Sequence, residues 1–394
     1  MVATGFSPTV QQAGASPMQT TAAGCTLSVN VNAPGSDLAT RVATAPTGAC
    51  FVLANGTYNF HDVVPKDGMS FIGASTSGVI IDGRGHENAF HGTADNVTIA
   101  RMTFQDFDSS AGTKRQEQSP IRGTARIWAS DAGQVATNWL IENVVSQRNY
   151  AAGVFLGDHF TVRNSVFRDN GVVGLGGDDF VGGLIENNII HGNGKLQNTG
   201  VEVNGGGVKF TQAGSLVHPV VVKNNEVYDN PDIAIWCDIG CQGFHVIDNY
   251  IHDHRSRGVM YELSANLVVR GNRIERSNTW TNHLGDFNAG AITVGESSNA
   301  LVENNYIEDA RSGVVARQTR RPTSGEGFLY NYPFVNFVTS NVTVRNNVHV
   351  RVRQSGIATG TTGNGMITNP ESITYSGNSY DDMAEMTFWW NNGE

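Results

Sequence analysis

From Asn96 onward the chain keeps rewriting one phrase: a short strand of alternating apolar and polar residues, a polar turn containing Asn, and a second short strand. It begins as NVTIARMTFQDF and recurs as WLIENVVSQRN, FTVRNSVFRDN, GLIENNIIHGN, VVVKNNEVYDN, FHVIDNYIHDH, LVVRGNRIERS, ALVENNYIEDA and VTVRNNVHVRV, with a last echo in ITYSGNSYDD. The Asn column stands at 143, 164, 188, 225, 249, 272, 305, 347 and 378. Successive intervals of 21 to 24 residues, stretched to between 31 and 42 in places, predict a basic coil of 21 to 24 residues with loops inserted into some coils. Asn suits such a turn twice over: it tolerates a left-handed backbone, and stacked Asn side chains can form an amide ladder.

The pattern is clearest from Val227 to Ser277, where two copies follow each other directly. Aligning VIDNYIHDH with VVRGNRIERS places Asp238 on Glu262 and Trp236 on Met260. If each copy is one turn of a solenoid, aligned residues stack at the inter-strand spacing of about 4.8 Å. Ahead of the repeats, SDLATRVATA (36–45) carries an N-cap Ser and helical apolar spacing before Pro46 and Gly48 stop it, which predicts a short helix covering the first coil. CFVLANGTYNF and MSFIGASTSGVIIDGRG predict further strands, split by Asn55-Gly56 and by Gly/Ser turns. The expected total is about ten coils. Residues 1–24, without a Lys or Arg, predict a loosely ordered leader ahead of a domain spanning 25–394.

This agreement of successive registers, from about Ala49 onward, resembles the pectin-lyase-like superfamily. The resemblance implies an all-β fold: a single-stranded right-handed parallel β-helix, or solenoid, with a short N-terminal capping helix. It does not imply one reaction, because that superfamily includes polysaccharide lyases, glycoside hydrolases, uronate epimerases, and phage tailspikes or adhesins. The Asn-Thr-Asp, Asp-Asp and Gly-His-Gly set of polygalacturonases is not in the sequence.

Composition narrows the partners. Gly 46 and only 16% charged residues suit many short strands with tight turns. A net charge of -10 argues against a nucleic-acid partner. No run of 18 apolar residues is available to span a membrane, and the N-terminus lacks the basic start and apolar centre of a signal peptide. Four Cys, at 25, 50, 237 and 241, favour an oxidising compartment, and a polysaccharide partner then points to a secreted protein. Cys25 and Cys50 would bracket the first segment. Cys237 and Cys241 bond if Asp-Ile-Gly between them turns and otherwise stay as buried thiols, since an extended i,i+4 pair exceeds the Cα limit of about 7 Å.

Candidate chemistry follows from aligning the central strand of each coil: Gly153–Gly157, Gly174–Asp178, Gly207–Thr211, Ala234–Asp238, Gly258–Glu262, Gly290–Val294 and Gly313–Arg317. The second position is apolar in all of them, so the second and fourth point inward and the third and fifth outward. Lys209, Trp236, Asp178, Asp238, Glu262 and Arg317 thereby collect on one outer face. Asp238 with Glu262, roughly 5 Å apart on neighbouring coils, matches a retaining glycosidase, and Asp178 with Asp238, near 10 Å, approaches the inverting separation. Trp236 would offer a sugar-stacking face, with Arg257, His252, His254, Tyr261 and Arg317 as substrate or proton contacts. Hydrolysis of this kind requires no cofactor. The alternative is β-elimination on a uronate, with Lys209, Arg257 or Arg317 as cation or base and Asp178, Asp179 and Glu202 as oxygen ligands for Ca²⁺. A third reading is a non-catalytic glycan-binding tailspike or adhesin. Against all three stands the plain alternative of solvated polar residues on a sheet face, although like charges directly opposite are destabilising. Insertions at 108–130 and 317–337 have the length of functional loops, and the second, with three Arg and five aromatics, could wall the cleft or form an oligomer contact.

Overall fold

The computed structural model describes residues 27–108, 119–123, 135–196, 205–277, 290–318, 338–359, 372–382 and 387–390. Three parallel sheets run the length of the rod, with 13 strands in sheet 1, 12 in sheet 2 and 11 in sheet 3 among the described residues. The chain visits the sheets in turn and then steps up by one strand. This is the parallel β-helix expected from the phrase, with more than the ten coils expected. The surplus lies at the N-terminal end, where Ala49–Leu53, Ser70–Gly73 and Val79–Asp82 add strands ahead of the Asn turns.

Inward residues stack directly on their equivalents. In sheet 3, Val154, Leu175, Val208, Ile235, Val259, Ile292 and Val314 pair in unbroken register, and all are buried. Apolar area removed from water along this column is the main stabilising term, at about 25 cal/mol per Å². The helix Leu38–Thr44 covers the N-terminal end by burying Leu38 and Val42. Its N-cap is Asp37 rather than Ser36, and no side chain caps it. The expected leader, 1–24, lies outside the described residues.

The passage from sheet 1 to sheet 2 is a two-residue turn in coil after coil, and it divides between two residues the jobs assigned above to one Asn. The first residue takes the left-handed backbone: Asn143, Asn164, Asn187, Asn224, Asp248, Asn304 and Asn346 all have φ between 51° and 56°. The second points inward and builds the ladder. Each amide from Asn188 through Asn225, Asn249, Asn272, Asn305 and Asn347 to Asn378 donates from Nδ2 to the next Oδ1 at 2.9–3.0 Å. Asn143 and Asn164 therefore belong to the left-handed column, and Ser165 opens the ladder by donating its backbone N–H to Asn188. A second ladder, which the sequence reading missed, runs through Asn149, Asn170, Asn193 and Asn230 at the turn from sheet 2 to sheet 3.

The insertions are one-sided. Every segment outside the described residues between 109 and 386 falls between a strand of sheet 3 and its chain neighbour in sheet 1 or 2. The insertion expected to wall a cleft, 317–337, lies in one of these segments from residue 319, whereas the one expected at 108–130 is interrupted by the short strand Ile121–Arg122 of sheet 3. Sheet 3 is thus the face the chain has elaborated.

Candidate active site on the outer face of sheet 3

The strand pairing confirms the key alignment: Trp236 pairs with Met260 and Asp238 with Glu262. One coil earlier, Lys209 pairs with Trp236 and Thr211 with Asp238. Asp178 lies opposite Thr211, two coils from Asp238, as expected. The coil after Glu262 is different, because Glu262 pairs with Gly295 and Met260 with Thr293. Val294, expected on the outer face, points into the core and is buried. A one-residue slip inverts every side chain.

The carboxylates do not face each other as an isolated pair. Each is engaged by a cation from another coil. Lys209 Nζ stands 3.7 Å from Asp238 Oδ2 and 3.6 Å from the Trp236 ring centroid. Arg317 Nη2 reaches Glu262 Oε1 at 2.6 Å and Glu296 Oε2 at 3.1 Å. Lys209, Asp238, Glu262 and Arg317 are all buried, and Glu296 is fully so. Asp178 is half-buried and accepts a hydrogen bond from the Thr211 hydroxyl.

Burial lowers the pKa of Lys209 below the ordinary lysine value, and Asp238, Asp232 and Glu262 only partly offset this. Deprotonation of a buried amine is what a proton acceptor requires. Asp232, which the sequence reading overlooked, shows the complementary shift. Burial pushes its carboxyl pKa up, against the opposing charges of Arg257 and Lys209 and backbone hydrogen bonds from Gly205 and Ile233. It stands one residue ahead of the strand Ile233–Asp238, and its signal was Asp-Asn-Pro-Asp opening that strand. Arg257, half-buried, shares this margin.

Of the expected substrate contacts, Trp236 is on this face, buried between Lys209 and an apolar patch with Met260 and Ile233, where it shields the amine. Three others are not on it. Tyr261 occupies an inward position, fully buried, with its hydroxyl donating to the carbonyls of Cys241 and Ala265. His254 continues the second Asn ladder: its ring nitrogens lie 3.1 Å from the carbonyls of Asn230 and Val227. Burial holds its pKa down at about 4. His252 belongs to sheet 2, stacked on Tyr228 and Tyr250 with Nδ1 2.6 Å from Asp253. Cys237 and Cys241 form a disulfide across a Cα separation of 6.2 Å, made possible because Ile239 takes φ 50°. The expected Cys25–Cys50 pair falls partly outside the described residues. So does Glu202, and among the described residues no group of three or more His, Cys, Asp or Glu is arranged to hold a metal ion.

A family model for the right-handed β-helix region matches residues 66–238, 128–279 and 183–384, the last alone covering more than half of the 394-residue chain. The chain belongs to the right-handed β-helix family. No curated protein sequence matches this β-helix protein, but solved structures do. The A-module of the Azotobacter vinelandii mannuronan C-5 epimerase AlgE4 superposes with a TM-score of 0.60 at 14% identity, covering 90% of this chain and 91% of that one. The PL6 family alginate lyase AlyGC gives 0.56 at 17% identity over 92% of this chain and 50% of that one. XylC, solved with xylose, gives 0.57 at 10% identity, covering 90% of this chain and 86% of that one. At these identities the likeness is one of fold.

Proposed function

We propose that this β-helix protein acts on a uronate-containing polysaccharide by removing the proton from C5, the step that elimination and C5 epimerisation share. The observation that carries the reading is Lys209, a buried amine with a depressed pKa at the centre of the sheet 3 face. In its neutral form Lys209 accepts the C5 proton while Arg257 offsets the charge of the uronate carboxylate. In elimination the electron pair released from C5 forms the C4–C5 double bond and the C4–O bond breaks. Asp232 then gives its proton to the departing oxygen. Support comes also from two fold neighbours whose names state reactions on uronates, mannuronan C-5 epimerisation and alginate cleavage. The Cys237–Cys241 disulfide favours a secreted location.

Hydrolysis remains a second reading because Asp178 and Asp238 do occupy one outward column two coils apart. A panel of neutral and acidic glycans distinguishes the two, read by new reducing ends and by the ultraviolet absorbance of an unsaturated product. Elimination yields both signals. Reducing ends without the chromophore mean hydrolysis; neither signal but deuterium at C5 after incubation in D₂O means epimerisation, and a bound glycan with none of these marks means an adhesin.

A further inference from the structure

Glu262 and Arg317 lie two coils apart with Gly295 between them in the same column. Two coils span about 9.6 Å of backbone at the inter-strand spacing, yet the guanidinium touches Glu262 Oε1 at 2.6 Å. The space it crosses is the missing side chain. A Cβ built on Gly295 would lie 3.0 Å from Arg317 Nε, 3.1 Å from Nη2 and 3.3 Å from Cζ. Gly295 has no left-handed φ to explain a glycine, so the room it leaves is what this position supplies. We propose that Gly295 and Arg317 form a positioning device: the arginine lies across the glycine and neutralises Glu262, so that this carboxylate does not hold a proton on the Lys209 centre.

The electrostatics run in that sense. Lys209 is faced by Asp238 on the next strand, by Asp232 ahead of that strand with Arg257 beside it, by Glu262 one coil further, and by Asp178 on the preceding strand, hydrogen-bonded to Thr211. Asp238, Asp232 and Glu262 favour the ammonium form. Glu262 carries an arginine bridge from Arg317 two coils away, and Glu296, fully buried, fixes the same guanidinium from the adjoining turn. Loss of Arg317 would remove the guanidinium that bridges Glu262 and Glu296 and so leave more negative charge near the amine. Arg317 is therefore a positioning residue, acting through Glu262.

The device matters for catalysis only if Lys209 is the proton acceptor proposed above, so the test is independent of turnover. The chain has five lysines, few enough for ¹³C,¹⁵N-lysine labelling to follow the Lys209 side chain by nuclear magnetic resonance through a pH titration, with Lys209→Arg for assignment. Arg317→Met and Gly295→Val should each move the Lys209 midpoint upward, toward that of an ordinary lysine, and Arg317→Lys, which keeps the charge, should move it less. If Arg317→Met fails to fold, Gly295→Ala in the folded protein decides. A midpoint that stays in place in the folded variants overturns the device. A shifted midpoint in a protein that turns over no glycan upholds the device and removes the functional reading instead.

Discussion

Two regions of the rod use the same stacking geometry for opposite ends. At the corner between sheets 1 and 2, seven coils in succession present the same residue, Asn188 through Asn378, and each amide satisfies the next. On the outer face of sheet 3 the corresponding column reads Asp178, Thr211, Asp238, Glu262, Gly295, Arg317, with no residue the same as the one before it. Repetition lets every buried polar group find a partner of fixed geometry, which is a device for stability. Variation brings unlike charges and an empty position into one row, which a stack of identical residues cannot do. The stable corner pairs with the variable face as scaffold and site.

Substitutions should separate the two regions cleanly. The largest effect is expected at Lys209→Met, which should cost about 10²–10⁴ in turnover, the usual worth of a general base, with the melting temperature maintained or raised. Next is Asn249→Ala. Its amide donates to Asn272 Oδ1 and to the carbonyls of Val222 and Ile247, and accepts from Asn225. Each buried group left unpaired costs about 1–3 kcal/mol, so denaturant titration should show several kcal/mol lost while specific activity of the folded fraction is unchanged. Replacing Cys237 and Cys241 together by Ser should cost about 2 kcal/mol from so short a loop. Because Asp238 adjoins Cys237 in the bridged turn, some activity should go with it, which would mark this turn as shared between scaffold and site.

An effect on stability is also expected from pH. His254 and His349 are both held at about 4 by burial, whereas an unfolded histidine protonates near 6.5. Depressed values in the fold mean that the unfolded chain binds more protons below pH ~6.5, so stability is full above that and falls as pH drops toward about 4. Thermal melts across this window should show the loss, and His254→Gln should reduce its slope. Asp238→Asn should act on the other region. Removing a charge that favours the ammonium form moves the rising limb of activity to lower pH, without altering the acid slope of stability.

How much of this was legible depends on what each feature needs. Register between coils needs only the repeated phrase, so the pairing of Asp238 with Glu262 and of Lys209 with Trp236 could be read directly. The slip at Gly290–Val294 arose where a long insertion separates the strand from the phrase before it. There Ala291, Ile292 and Val294 offer apolar residues in both parities, leaving periodicity with nothing to decide. The ion pairs were illegible for another reason: they depend on side-chain reach, and nothing in a column alignment says that Arg317 skips across Gly295. The contact of Trp236 with the Lys209 amine was within reach, since the two share an outward column on adjacent coils. Asp232 was missed because it precedes its strand and has no place in a strand alignment. His254 misled because a buried imidazole can substitute for an Asn in a ladder.

The central claim is that Lys209 removes a carbon-bound proton from a uronate, and the most direct measurement follows that proton. Uronate polysaccharides incubated with the protein in D₂O should yield product that is either unsaturated at C4–C5 or deuterated at C5, and Lys209→Met should suppress both outcomes. Reducing ends appearing with neither mark, at equal rates in the parent and in Lys209→Met, would contradict the account.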